Sequence, residues 1–179
     1  NPAFALAHII SGLKDVKGRV KVAGFYDNVR KLTAKERGAI RKLPHSDTTW
    51  RKSIGAKALF GEPGYTTLER VWARPTLEVN GIWGGFMGDG AKTVIPAEAH
   101  AKISMRLVPN QKPKEIVAKV TKAIKKLAPK SVDVTVTHIH SGEGWLADTG
   151  HAALQAASRA VKKAFGKTPV FTRGGGSIP

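Results

Sequence analysis

Residues 91–109 read AKTVIPAEAHAKISMRLVP, and the parsing of this stretch decides the fold. In its second half Ala99, Ala101, Ile103, Met105 and Leu107 alternate with His100, Lys102, Ser104 and Arg106. Period two with one apolar side is the pattern of a strand that buries a single face, so Arg106 points away from the core row. In the first half, Lys92–Pro96 reads as a second short β-segment. Together the two segments carry Thr93 and Arg106 toward one place, behind a loop with glycines at 81, 84, 85, 88 and 90. One half of a binding site is the expectation.

Working outward, Thr76–Ile82 alternates and predicts a strand before the glycine loop. Downstream, Pro109 stops the second strand and Pro113 opens a helix whose buried stripe is Ile116, Val117, Val120, Ile124 and Leu127. Val132, Val134 and Val136 then alternate with Asp133, Thr135 and Thr137 in a last strand. Upstream, Asn1 followed by Pro2 is a helix start, and Leu6, Ile9, Ile10 and Leu13 form one apolar stripe. Thr33 with Glu36 makes a capping box for a short charged helix that ends before Pro44, and Trp50–Phe60 reads as another short helix. Phe25 to Gly64 has too few large apolar residues to enclose a core and reads as an insertion.

Helix, strand pair, helix, strand is the order of an α+β fold: a ferredoxin-like split βαβ arrangement, antiparallel sheet with helices on one face, initial strand missing. It accounts for residues 1–141. In residues 142–179, Asp148-Thr149 cap a helix with Leu154, Ala157, Val161 and Phe165 on its apolar face. Gly166 is its C-cap, and Thr168–Phe171 is a short strand. This is a partial α/β piece of a second domain. A chain that opens on a helix cap and closes inside such a unit looks cut from a longer sequence.

The charge is unusual: 30 Lys and Arg against 13 Asp and Glu, formally +17. Such an excess attracts nucleic acid, acidic membrane surface or anionic substrates. The lysines are spread along helices without a dense block, as on a solvated surface, and acidic residues of a longer protein absent from this chain are a second explanation. A basic ferredoxin-like module that binds nucleic acid is the alternative function, although the sheet lacks the clustered aromatics that base stacking needs. A purely structural dimerisation domain is another. There is no cysteine, so neither disulfides nor thiolate metal sites contribute. No segment has the length of apolar run that spans a membrane, and the expected location is cytoplasmic.

Two places carry recognition chemistry. A guanidinium at Arg106 offers a fork to a carboxylate or phosphate, and the Thr93 hydroxyl adds a donor; the ordinary alternative is an arginine salt-bridged on a sheet surface. At Arg173–Ser177, consecutive Gly174, Gly175 and Gly176 leave backbone N–H groups open to an anion, with the Ser177 hydroxyl beside them. The ordinary alternative there is a flexible tail. His138 and His140 share a strand face but lack a third ligand, and no paired carboxylates suit a metal. Trp72, Trp83 and Trp145 can stack a ligand, although core packing is the commoner use.

Lys92-Thr93-Val94-Ile95-Pro96, then Met105-Arg106-Leu107-Val108-Pro109, then Arg173 through Ser177-Ile178-Pro179 together resemble the metallopeptidase family of carnosinase and cytosolic non-specific dipeptidase. Aminoacylase and acetylornithine deacetylase are more distant relatives. Asn1-Pro2-Ala3, Gly24-Phe25-Tyr26-Asp27 and Arg74-Pro75-Thr76 to Gly85 are similar to its bacterial dipeptidase branch.

The resemblance implies a two-domain, homodimeric enzyme in which a ferredoxin-like lid, or dimerisation, domain interrupts a catalytic domain holding two zinc ions. It further implies that Thr93 lies at the substrate site, reaching the neighbouring subunit's. Arg106, Gly176 and Ser177 would bind the carboxylate end of a peptide or N-acyl amino acid. Zinc-bound hydroxide would attack the carbonyl, with a glutamate as general base. Two departures stand out. Gly174 occupies the position where the family usually has glutamate, and the zinc ligands, catalytic glutamate and lid histidine all fall outside these residues. The expectation is a fragment of a zinc-dependent dipeptidase-like hydrolase with no catalytic residue and no metal site of its own.

Overall fold

A computed structural model describes residues 1–174. The elements run α1 (Pro2–Leu13), α2 (Ala34–Arg41), α3 (Asp47–Ser53), α4 (Thr67–Ala73), β1 (Thr76–Gly84), β2 (Ala99–Arg106), α5 (Pro113–Leu127) and α6 (Ala152–Phe165). β1 and β2 form an antiparallel pair, with Leu77 opposite Met105 and Val79 opposite Ile103 on the inner face. A bulge between Val79 and Gly81 admits Asn80 as an extra residue, after which Gly81 faces Lys102 and Trp83 faces His100. At the far end Gly84 has φ +143, and a Cβ there would sit 2.9 Å from the Ala99 Cα and the Glu98 carbonyl. Only glycine lets the two strands close at that point.

Ile9 and Leu13 of α1, Leu77 of β1 and Ile116, Val120 and Ile124 of α5 form the core with Val20, Val22 and Phe25. Ile103, Met105 and Leu107 of β2 pack against it from the sheet side. The period-two reading of β2 and the stripes of α1 and α5 are therefore the faces that meet. The start of α1 follows from its sequence, since Asn1 Oδ1 accepts from the Ala3 N–H at 3.0 Å and Pro2 needs no donor partner. The α2 capping box of Thr33 and Glu36 is present as read.

Four expectations are corrected. Lys92–Pro96 is not a strand but an exposed loop. Among the described residues, 132–137 and 168–171 have no strand partner; alternation marks a segment able to pair, but a ladder also needs a neighbouring edge. The third helix starts at Ser46, its N-cap, and stops at Ser53, well short of Phe60. Phe25, read as the first residue of an insertion, is 1% exposed in the centre of the core. It is fixed there because the buried Gln111 amide donates to the Phe25 carbonyl at 2.8 Å while its oxygen accepts from the Val108 N–H at 3.0 Å.

Helix α4 was not read from the sequence, although Thr66 and Glu69 make a capping box like that of α2. The α6 cap is His151, whose Nδ1 accepts from the Ala153 N–H, and Asp148 instead closes the turn before it. Gly166 is its left-handed C-cap, φ +71. Among the described residues no helix is long and apolar enough to cross a membrane.

Candidate functional site

β1 covers one edge of β2. An open cleft of about 2670 Å³ is lined by β2, by Ile9 of α1, by Val120 and Ile124 of α5 and by residues 131–149. Arg106, at the last position of β2 opposite Thr76, lies on this cleft, and so do Arg173 and Gly174. The arginine and the first residue of the glycine run therefore both line this cleft. Gly176 and Ser177 lie outside the described residues.

Arg106 is exposed and, among the described residues, makes no ion pair. Glu78, the carboxylate of β1 on the same sheet face, is held instead by Lys14 at 2.7 Å. Among the described residues the surface salt bridge considered as the ordinary alternative is not formed, which leaves the guanidinium donors available to that extent.

Thr93 is placed differently. Its loop leaves the Ala99 end of β2, where Pro96 lies beside Gly85 and Lys92 reaches over the Phe86 ring at 5.8 Å. Ala99 and Arg106 are separated by seven strand steps, about 23 Å at 3.3 Å each. A single chain thus holds Thr93 and Arg106 at opposite ends of one hairpin, and the picture of two segments converging on one place is corrected.

Glu36, read from the sequence only as half of a capping box, gathers further partners at the cleft, and these the sequence reading missed. Glu36 Oε2 accepts from the Thr33 N–H (2.8 Å), the Thr33 hydroxyl (3.0 Å) and Arg30 Nη1 (3.2 Å). Its Oε1 accepts from Arg30 Nη2 and Arg173 Nη2. Burial alone would raise its pKa, but the hydrogen bonds from Arg30 and Thr33 and the Arg30 charge outweigh it and bring the value down to about 2.

Behind Glu36, the fully buried Glu69 is gripped by Arg37 at 2.8 and 2.9 Å. The Arg37 hydrogen bonds, set against desolvation, hold the Glu69 carboxyl below its usual range. Glu62 and Arg74 form a second two-point pair at 2.7 and 2.8 Å, and Arg74 lies between the Tyr26 and Tyr65 rings, 5.0 and 4.6 Å away. The capping-box pattern at Thr66–Glu69 was the available signal; the long-range arginine partners had none.

The remaining candidates are not gathered. His138 and His140 are exposed on an unpaired segment, and among the described residues no three His, Cys, Asp or Glu come together to hold a metal ion. These side chains do not fit a zinc centre. Trp83 stacks on His100 (centroids 5.0 Å apart, planes at 12°), Trp145 is 85% exposed, and neither packs in the core.

A family model described as the peptidase dimerisation domain of M20 peptidases matches residues 1–132. The chain is 33% identical over 182 residues to the Cys-Gly metallodipeptidase of Schizosaccharomyces pombe, covering 99% of this chain and 38% of that protein. To the human Beta-Ala-His dipeptidase it is 29% identical over 181 residues, covering 99% of this chain and 36% of the relative. Among solved structures, an M20 family metallo-carboxypeptidase from Sulfolobus solfataricus superposes with TM-score 0.85 at 32% identity, over all of this chain and 46% of that one. The chain spans little more than a third of the curated relatives it matches. With a family model covering α1 through α5 and a fold shared with a solved relative along its whole length, the chain belongs to the M20 peptidase dimerisation-domain family.

Proposed function

We propose that this chain is part of a metal-dependent dipeptidase-like hydrolase, supplying dimer formation and recognition of the substrate's carboxylate end. Residues 1–141 would be the lid and residues 142–179 the return into a catalytic domain that holds two zinc ions and a glutamate general base. The substrate would be a dipeptide or an N-acyl amino acid, and the enzyme a cytoplasmic homodimer. The observation that carries this is the placement of Arg106: uncommitted among the described residues, on the same cleft as Gly174, with Thr93 at the opposite end of the hairpin. A guanidinium and a run of glycine N–H groups, continued by Gly176 and Ser177, make a carboxylate receptor. The separation of Thr93 then has a use, because a twofold axis between two lids carries each Thr93 toward the partner's site.

A first strand, as the proposed lid would have, has room beside β2, which is paired only with β1 among the described residues. A strand entering α1 and continuing by a right-handed crossover to β1 would lie against the free edge of β2, antiparallel to it. Residues 132–137 would then gain the neighbour they lack. The metal would supply the hydroxide nucleophile, and the residues of this chain would orient the substrate against it.

The test is hydrolysis by the longer protein that contains this sequence. Wild type should cleave dipeptides in a metal-dependent way, and Arg106→Met should raise KM for a dipeptide tenfold or more while leaving an amidated dipeptide, which lacks the carboxylate, little changed. Equal losses on both substrates would count against carboxylate recognition.

A further inference from the structure

We propose that Glu36 is a positioning residue: with Arg30 beside it, it anchors Arg173 and thereby sets where Gly174 lies on the cleft. A capping box needs its glutamate to reach one backbone N–H. Glu36 does that for Thr33 and in addition takes two guanidinium groups, one from six residues upstream and one from 137 residues downstream. Both carboxylate oxygens are used, and the pair is partly shielded, with the Glu36 side chain 28% and the Arg173 side chain 21% exposed.

The anchor rests on a fixed base. The next residue, Arg37, ties α2 to the buried Glu69 of α4, and α4 runs through Arg74 and Pro75 into β1. The arm it holds has little else. Residues 167–174 contain no helix or strand, and among the described residues their only side-chain hydrogen bond is that from Arg173 to Glu36. A segment with one tether takes its direction from that tether. Two cations on one carboxylate also leave a net positive charge beside Gly174, on the same cleft as Arg106. That suits an incoming anion.

The assignment rests on the proposed role of the glycine run in binding a carboxylate, so its test has two arms. In the 179-residue chain, which has no cysteine of its own, the mobility of a nitroxide label on Val170→Cys, an exposed position of the arm, is followed by electron paramagnetic resonance in Glu36→Gln and in Arg173→Met, the second variant leaving the α2 cap untouched. Both should shorten the label's rotational correlation time severalfold, with helix content unchanged, and the double variant should add nothing to either. Unchanged label mobility in Arg173→Met overturns the anchor. In the longer enzyme, Arg173→Met should raise KM for a dipeptide with kcat within twofold, and Arg173→Lys should recover part of the loss. A more mobile arm with unaltered KM overturns the positioning role. If the wild-type enzyme cleaves no dipeptide, the proposed function fails, while the label still decides the anchor.

Discussion

Arg37 holds both oxygens of Glu69, at 2.8 and 2.9 Å, and Glu69 is completely buried. The pair joins α2 to α4 directly, and the N–H of Thr66, the α4 N-cap, also donates to the Glu69 carboxylate at 2.9 Å. A buried carboxylate left without its cation is strongly destabilising, because neither water nor another donor replaces the lost charge.

Arg37→Met is therefore expected to lower stability by about 3 kcal/mol, the low end for a broken buried pair, since the arginine itself is a third exposed. Exchanging both partners for apolar residues should cost less than either single change. Urea unfolding of the single and double variants checks this. A double variant no better than the worse single one would contradict it.

Acid should weaken the same region. The Glu36 carboxyl titrates near 2 in the folded chain against 4.5 ordinarily, so below 4.5 the unfolded chain binds a proton that the folded chain does not. Its contribution is fully present above about pH 4.5 and is lost as pH falls through about 2. Glu69, also held below its usual range, acts in the same direction. Denaturant midpoints measured from pH 5 to pH 2 should fall, and Glu36→Gln should flatten part of that slope.

Phe25→Ala is expected to cost about 3–5 kcal/mol, as for a large aromatic emptied from a close-packed core. Were Phe25 only the start of a surface insertion, the loss would stay under about 0.5 kcal/mol. Thermal or urea unfolding distinguishes the two, with Phe60→Ala, at a residue 67% exposed, as the control.

Thr93 and Arg106 can be tested for service in different subunits of the longer enzyme. If each site takes Arg106 from one subunit and Thr93 from its partner, mixing Thr93→Ala with Arg106→Met protein rebuilds one intact site in each mixed dimer. Random exchange of subunits should then recover about a quarter of wild-type activity. No recovery after verified exchange would mean that both residues act within one chain, against the roughly 23 Å of strand between the ends of the hairpin.

The sequence by itself determined the local elements and the faces they bury. Asn1-Pro2 starts α1, the Thr33–Glu36 box starts α2, and the alternation from Ala99 to Leu107 assigns the inner and outer sides of β2. These rest on bonds within a few residues, or on a period that residue order alone sets. Only the tertiary structure decided which alternating segments are strands. Val132–Thr137 alternates as well as Thr76–Ile82, yet among the described residues it has no partner strand, because hydrogen bonds between strands depend on which edge lies alongside. It also decided that Phe25 is core, that Glu36 holds Arg173, and that Thr93 and Arg106 lie at opposite ends of the β1–β2 hairpin. Each is a contact, or a separation, between residues whose neighbours in the chain carry no mark of it.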